Sequence, residues 1–243
     1  MTISLHIEYH AQWGAQLYVT TGQKPTFGQE LPKNAIDMDN DGRGNWFVDV
    51  DAAYLTGKTY HYVLAYQRHV VRNEFGNGHF IAGLSGAEGV PTLRVWDDWR
   101  KMPQIRSFFS LAFRRKGVRN DLHDVNPVVD ELMPNQITMV CEAGKLEDNW
   151  ALALIGNTPE LGSWQPERAL LMERIGRGLW SVSFDRSALR FPLRFKFVVL
   201  DKVTHGFIAW EDCTNRFFEP SVMDPGDSIL ICNQRFTRAA KQE

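Results

Sequence analysis

The stretch GRGLWSVSFD, residues 176–185, decides the fold of this chain, because a glycine-rich turn is followed by strictly alternating apolar and polar residues. A period of two is typical of a strand with one buried face. A close copy, GRGNWFVDVD, occupies residues 42–51. Trp46 and Trp180 stand at the same place in the two copies, which predicts that both indoles pack in a core.

The repeat extends to other strands. YHYVL at residues 60–64 is echoed by FKFVV at residues 195–199, and LYVTTG at residues 17–22 by ALALIG at residues 151–156, aligned glycine to glycine. Short alternating runs broken by Gly, Pro, Asn and Asp dominate elsewhere, as in sandwiches and barrels. We therefore predict an all-β chain built from two copies of one immunoglobulin-like antiparallel β-sandwich.

Composition narrows the function classes. The 243 residues carry a net charge of −2, which argues against a nucleic-acid-binding face. No apolar stretch approaches the roughly 18 residues of a membrane span, and the N-terminus lacks the pattern of a signal peptide. Three scattered cysteines do not form a disulfide framework, so we expect a cytoplasmic location. The spacing of His and Cys predicts no metal site, and we expect no cofactor.

Four residues of the second half carry the chemistry of a sugar site. Trp164 ends the turn-like run GNTPELGSW, Lys196 lies inside FKFVV, and WEDCTNR contains both Trp210 and Asn215. A glucose ring has a fairly apolar C–H face that packs on an aromatic side chain, and a rim of hydroxyls that hydrogen-bonds to polar side chains. Two indoles, an amine and an amide meet both requirements.

These motifs, together with GLWSVSF, resemble the glucoamylase-type starch-binding domain, a family 20 carbohydrate-binding module, over about Pro134 to Phe236. The resemblance implies a glucan site made of the Trp of the LGxW turn, the Lys of the central strand, and the Trp and Asn of W-E-x-x-x-N-R. In this chain they are Trp164, Lys196, Trp210 and Asn215. Glu211 and Asn215 either bond the sugar or fix the loop, and Asn215 is ranked above Glu211 as a sugar ligand.

Alternation leaves two roles open for Lys196. Because it lies between Phe195 and Phe197, its side chain should point to the opposite face of the strand. It is there either a solvated surface lysine or a donor to a glucose hydroxyl. The first copy retains the scaffold without the site, since His61 stands in place of Lys196 and Asn73 in place of Trp210. That copy also lacks an LGxW tryptophan, so we expect it to bind sugar weakly or through another surface.

The segment between the copies has a different character. Ile105, Phe108, Phe109, Ala112 and Phe113 follow helical spacing, and the apolar stripe of this helix either seals the junction or docks onto a further domain. RVWDDW (94–99) and RSFFSLAFRR (106–115) resemble the linker between tandem starch-binding domains in cytosolic disproportionating 4-α-glucanotransferases. We predict a first domain over 1–98, a linker with a short helix over 99–133, and a second domain over 134–243.

The expected function is non-catalytic binding of starch- or glycogen-type α-glucan, including maltooligosaccharide and cyclodextrin. In the resembling family a catalytic barrel follows the second domain, so we expect an N-terminal fragment of a 4-α-glucanotransferase, with that catalytic domain as its partner. A protein-interaction or scaffold module of a glycogen-associated complex is the alternative. Catalysis by this chain alone is disfavoured, because no two acids can be placed across a glycosidic bond.

Overall fold

The computed structural model describes residues 1–12, 14–81, 84, 87, 89–100, 133–144, 146–175, 178–220 and 223–237. Regular structure in these residues is almost entirely β-strand, with one short α-helix, α1 (Ala52–Leu55), which confirms the all-β prediction. None of the helices within the described ranges is long and apolar enough to span a membrane.

The described residues divide into two compact units. The first contains residues 1–87 and 94–100, and the second contains residues 89–93 and 133–237. The predicted helix around Phe108 and Phe113, with most of the predicted linker, lies outside the described residues. The domain limits given above therefore remain a proposal.

The first unit is a sandwich of two sheets. One sheet has the order β8-β1-β5-β4 and the other β3-β2-β6-β7. The strands of the unit are β1 (Thr2–Glu8), β2 (Gln16–Thr21), β3 (Ile36–Asp37), β4 (Asp39–Asn40), β5 (Asn45–Asp51), β6 (Tyr60–Tyr66), β7 (His69–Asn73) and β8 (Thr92–Asp97), which belongs to this unit from Arg94 onward.

The second unit repeats this plan. Its sheets have the orders β12-β13-β9-β17 and β11-β10-β14-β15, and β16 also pairs with β14. Strand β17 runs parallel to β9, so the prediction of purely antiparallel sheets is wrong for this pair. The strands are β9 (Gln136–Ala143), β10 (Trp150–Gly156), β11 (Leu170–Leu171), β12 (Glu173–Arg174), β13 (Leu179–Asp185), β14 (Leu193–Asp201), β15 (Phe207–Trp210), β16 (Arg216–Phe218) and β17 (Ser228–Phe236).

The repeated tryptophans lie in the cores, as predicted. Trp46 in β5 and Trp180 in β13 are both buried. In β5, buried and exposed residues alternate without exception, so that Trp46, Val48 and Val50 share the inner face. The indole N–H of Trp46 donates to the carbonyl of Tyr9 at 2.8 Å, which satisfies the polar atom of this buried ring.

Strand register corrects the sequence alignment of the two copies by one residue. Thr20 in β2 lies opposite His61, and Ile155 in β10 lies opposite Lys196. Because His61 and Lys196 occupy the same place in their copies, Thr20 corresponds to Ile155, and the alignment that matched the terminal glycines is wrong by one position. A shift of one residue exchanges the two faces of a strand. The sequence echo therefore assigned the β2 residues to the wrong face.

Candidate carbohydrate-binding site

The candidate site is built on the outer face of the β10–β14 sheet in the second unit. Phe195 and Phe197 point to the inner face of β14 and are fully buried, with their ring centroids 5.9 Å apart in an edge-on arrangement. Lys196 and the residues at even positions beyond it therefore point to the outer face. The β10 residues opposite them share that face, because directly paired residues of antiparallel strands lie on the same side.

Trp164 is brought to this face by an unusual turn. It ends the 3₁₀ turn Pro159–Trp164, and Gly162, Ser163 and Trp164 have successive φ angles of 76°, 48° and 63°. A Cβ on Gly162 would lie 2.6 Å from the carbonyl oxygen of Arg168, so this position requires glycine. The half-buried indole packs on an apolar cluster of the outer face made of Ala153, Ile155, Val198 and Leu200.

Trp210 reaches the same face from the neighbouring strand. It pairs directly with Val198, a member of the cluster under Trp164. Its side chain is 39% exposed, and its ring centroid lies 5.4 Å from that of Phe207 at an interplanar angle of 48°. The second indole is thus an accessible aromatic surface supported by another ring.

Lys196 is held between the sheet and the loop that follows Trp210. Its Nζ donates to the backbone carbonyl of Cys213 at 2.5 Å, and the side chain is half-buried. An ammonium group has three N–H donors, so this bond fixes the position of the charge without exhausting its capacity to donate. This arrangement places a positioned cation on the face that carries both indoles.

Glu211 is committed to contacts inside the unit. It is buried, and its Oε1 accepts the backbone N–H of Phe197 at 2.9 Å. The Arg216 guanidinium donates to both carboxylate oxygens, with its Nη2 at 2.8 Å from Oε2. Of the two roles left open for Glu211, these contacts favour fixing the loop over bonding a sugar.

Asn215, unlike Glu211, is accessible on this loop. Its side chain is exposed, and it makes no side-chain hydrogen bond with any described residue. Its amide can both donate and accept, which suits a sugar hydroxyl. The contacts therefore separate the two loop residues in the order that the sequence analysis ranked them.

The structure therefore collects three of the predicted residues, Trp164, Lys196 and Trp210, on one face, with Asn215 on the adjoining loop and Glu211 beneath it. Phe207 also lies on this face, because it pairs with Leu200, and the sequence analysis missed it. A register shift in β14 between Val199 and Leu200 allows both Phe207 and Trp210 to face outward although three positions separate them. No local sequence signal marks that shift.

The corresponding face of the first unit is filled differently. Asn73 pairs with Val63, just as Trp210 pairs with Val198, but its amide N–H donates to the Pro25 carbonyl at 2.6 Å. His61 is buried and its Nε2 lies 3.1 Å from the Gly22 carbonyl oxygen. Burial lowers the pKa of this imidazole below its usual value, which favours the neutral ring over a cation.

The outer apolar cluster of the first unit includes no exposed aromatic side chain among its described members. The outer apolar cluster there consists of Tyr18, Leu31, Val63, Ala65 and Val70. Leu31 is buried in this cluster, whereas Trp164 lies half-exposed on the cluster of the second unit. A buried aliphatic side chain offers no stacking surface to a sugar ring.

Residues 135–224 match the family model described as the starch binding domain. Over 242 residues, the chain is 22% identical to the 4-alpha-glucanotransferase DPE2 of Oryza sativa subsp. japonica. The match covers 95% of this chain and 25% of the rice protein, so the chain spans about a quarter of the length of that relative.

Solved structures with similarity to the chain include three carbohydrate-active proteins. The gamma-CGTase of alkalophilic Bacillus clarkii is 22% identical, covering 43% of this chain and 15% of its own, with a TM-score of 0.35. The family 20 module of the maltotetraose-forming amylase of Pseudomonas saccharophila STB07 is 18% identical, and the match covers 40% of this chain and 98% of the module, with a TM-score of 0.33. The Hypocrea jecorina glucoamylase is 15% identical, and the match covers 44% of this chain and 18% of the glucoamylase, with a TM-score of 0.34. The family-model match thus identifies residues 135–224, within the second unit, as similar to the starch binding domain.

Proposed function

We propose that the second unit binds α-1,4-glucan without catalysis, through Trp164, Lys196, Trp210 and Asn215. One observation carries this proposal. The two indoles share one outer-face cluster, since Trp164 packs on it and Trp210 pairs with Val198, one of its members. Aromatic surfaces on one face, beside an amine and an exposed amide, can take the apolar faces and the hydroxyls of a glucan together.

The size of the stacking surfaces indicates weak binding at each site. Stacking one glucose face buries about 100 Å² of apolar surface, which yields about 2.5 kcal/mol before ordering costs. Two indoles and a few hydrogen bonds then correspond to dissociation constants in the micromolar to millimolar range. Weak sites of this kind gain their effect when a linked domain acts on the same substrate, because linkage raises the local substrate concentration.

A linked catalytic domain is the second part of the proposal. We propose that the glucan-binding unit brings a 4-alpha-glucanotransferase domain of the same polypeptide to starch, glycogen or maltodextrin. The similarity to the rice 4-alpha-glucanotransferase, which this chain covers by a quarter, supports that assignment. A cytoplasmic location is part of the proposal, and it is supported by Cys141, Cys213 and Cys232, none of which forms a disulfide.

Isothermal titration of the 243-residue chain with β-cyclodextrin and with maltoheptaose tests the proposal. Trp164→Ala and Trp210→Ala should each weaken binding at least tenfold, because each removes an exposed stacking surface. Phe27→Ala is the matched control, since this side chain is 79% exposed but lies in the first unit, and it should bind like the parent. A parent chain that binds neither ligand would refute the function, and tryptophan variants that bind like the parent would refute the site.

A further inference from the structure

Three exposed aromatic side chains follow one line along the outer face of β14. Phe207, Trp210 and Phe217 are 47%, 39% and 60% exposed, respectively. Each is paired with a β14 residue that points outward, and directly paired residues share a face. Their partners in β14 are, in the same order, Leu200, Val198 and Arg194.

Lys196 lies within this line. It falls between Val198 and Arg194 on the same face of β14, and the loop that contains Asn215 runs past it to β16. A strand rises by about 3.3 Å per residue, so the line from Leu200 to Arg194 extends about 20 Å. The order along it is two aromatic rings, then an amine with an amide, then a third ring.

We propose that Phe207 and Phe217 extend the glucan site into an aromatic track, so that the second unit favours chains longer than the two indoles alone can cover. This inference rests on the proposed glucan binding of the same face. A phenylalanine ring can contribute only stacking, because it has no polar atom to meet a hydroxyl. The track therefore adds affinity only for a sugar chain long enough to reach beyond Trp210 and Lys196.

The arrangement of the track fits a glucan better than a protein surface. The core of a protein–protein interface is depleted of charge. Here Lys196 lies between the β14 partners of Trp210 and Phe217, and the exposed Asn215 lies on the loop that joins the strands of these two rings. The two ends also differ, since Phe207 contacts the ring of Trp210 whereas Phe217 lies beyond Lys196.

Titration of the whole chain with maltotriose and with maltoheptaose tests the track. Phe217→Ala should weaken maltoheptaose binding about three- to tenfold and change maltotriose binding less than twofold. Phe207→Ala should weaken the binding of both sugars, and maltoheptaose more than maltotriose, because Phe207 also contacts the ring of Trp210. Phe27→Ala, the exposed phenylalanine of the first unit, should change neither. Maltoheptaose affinities equal to that of the parent would overturn the track.

Equal losses of affinity for maltotriose and maltoheptaose in Phe217→Ala would also overturn the track, because Phe217 would then act only by orienting the site around Trp210 and Lys196. Trp210→Ala distinguishes this failure from failure of the proposed function. If Trp210→Ala weakens both sugars while Phe217→Ala weakens neither, the site stands and the track does not. If the parent chain binds neither sugar, both proposals are wrong.

Discussion

In each unit a buried glutamate accepts a hydrogen bond from the central strand, but the cation that pairs with this glutamate differs between the units. In the second unit Glu211 accepts the backbone N–H of Phe197 and pairs with Arg216. In the first unit Glu74 accepts the backbone N–H of Tyr62 at 3.1 Å and pairs with His79, with Nε2 2.7 Å from the carboxylate. A guanidinium stays charged at any physiological pH, whereas an imidazole titrates.

In the first unit a second acid, Asp97, also faces the imidazole of His79. Asp97 lies 3.5 Å from Nδ1 of His79 and accepts hydrogen bonds from the hydroxyls of Tyr60 and Tyr62 at 2.6 and 2.8 Å. All of these groups are buried. The anchor of the central strand thus persists in both copies, whereas the positions of Lys196 and Trp210 hold the buried His61 and the hydrogen-bonded Asn73 in the first. The residues that stabilise the fold are therefore distinct from those proposed to bind glucan, and this distinction can be tested.

The largest expected effect is the loss of stability when the core tryptophan that both units share is truncated. Trp46→Ala and Trp180→Ala should each lower the free energy of unfolding of their own unit by about 3–5 kcal/mol, as truncation of a large buried aromatic does. Hydrogen exchange along β6 and β14 in urea reports the two units separately. Trp164→Ala is the control and should cost much less, because its indole is only half-buried. A stable Trp180→Ala protein would mean that the core and site tryptophans have been exchanged.

The next largest effect is the loss of glucan affinity when the two indoles of the candidate site are removed. The double variant Trp164→Ala/Trp210→Ala should lose at least about a hundredfold in affinity for maltoheptaose, or about 2.7 kcal/mol. We expect no compensation by the first unit, because Asn73 stands at the position of Trp210 and the outer cluster there is covered by the buried Leu31. Titration of the whole chain measures the residual binding. Substantial residual affinity would show that the first unit carries a site of its own.

The difference in cations predicts a difference in pH dependence. Burial alone would lower the pKa of His79, but the charges of Glu74 and Asp97 outweigh it and raise the pKa to about 9. A raised pKa contributes stability that is fully present below the unfolded value of about 6.5 and is lost as the pH rises through about 9. The first unit should therefore weaken between pH 7 and 10, and the second should not by this mechanism.

Hydrogen exchange of the Tyr62 and Phe197 amides, corrected for the intrinsic rate, measures this difference directly. Both amides donate to the anchoring glutamate of their unit. Protection of Tyr62 should fall with rising pH while that of Phe197 holds. His79→Gln should abolish the fall, because the titrating group is gone. A parallel decline of both amides would contradict the assignment to His79.

Much of the architecture could be predicted from sequence because it has a local signature. The period of two after each glycine turn predicted the strands of Trp46 and Trp180. The register of β2 and β10 could not be predicted, because both of these strands are buried on both faces and so lack a polar alternation to fix it. The parallel pairing of β17 with β9 joins strands far apart in sequence, for which no local pattern exists.

The site divides in the same way. Turn residues and motif spacing indicated Trp164, Lys196, Trp210 and Asn215, which the structure places on one face and its adjoining loop. The exposure of Phe207 depends on a register shift in β14, and the burial of Glu211 depends on a partner on another strand. Both are tertiary properties, so neither could be derived from the order of residues alone.

The smallest effect separates two asparagines, Asn215 in the loop after Trp210 and Asn73 at the end of β7. Asn215→Ala should weaken maltoheptaose binding about three- to tenfold, which corresponds to the net 0.5–1.5 kcal/mol of a hydrogen bond exchanged with water. The control in the first unit, Asn73→Ala, should leave glucan binding unchanged, because Asn73 already donates to Pro25 within that unit. Titration of both variants checks the pair, with thermal unfolding as the second readout. Asn73→Ala should lower the melting temperature and Asn215→Ala should not, since the exposed Asn215 side chain makes no hydrogen bond to any described residue. If Asn73→Ala weakened glucan binding as much as Asn215→Ala, the functional asymmetry between the two units would be wrong.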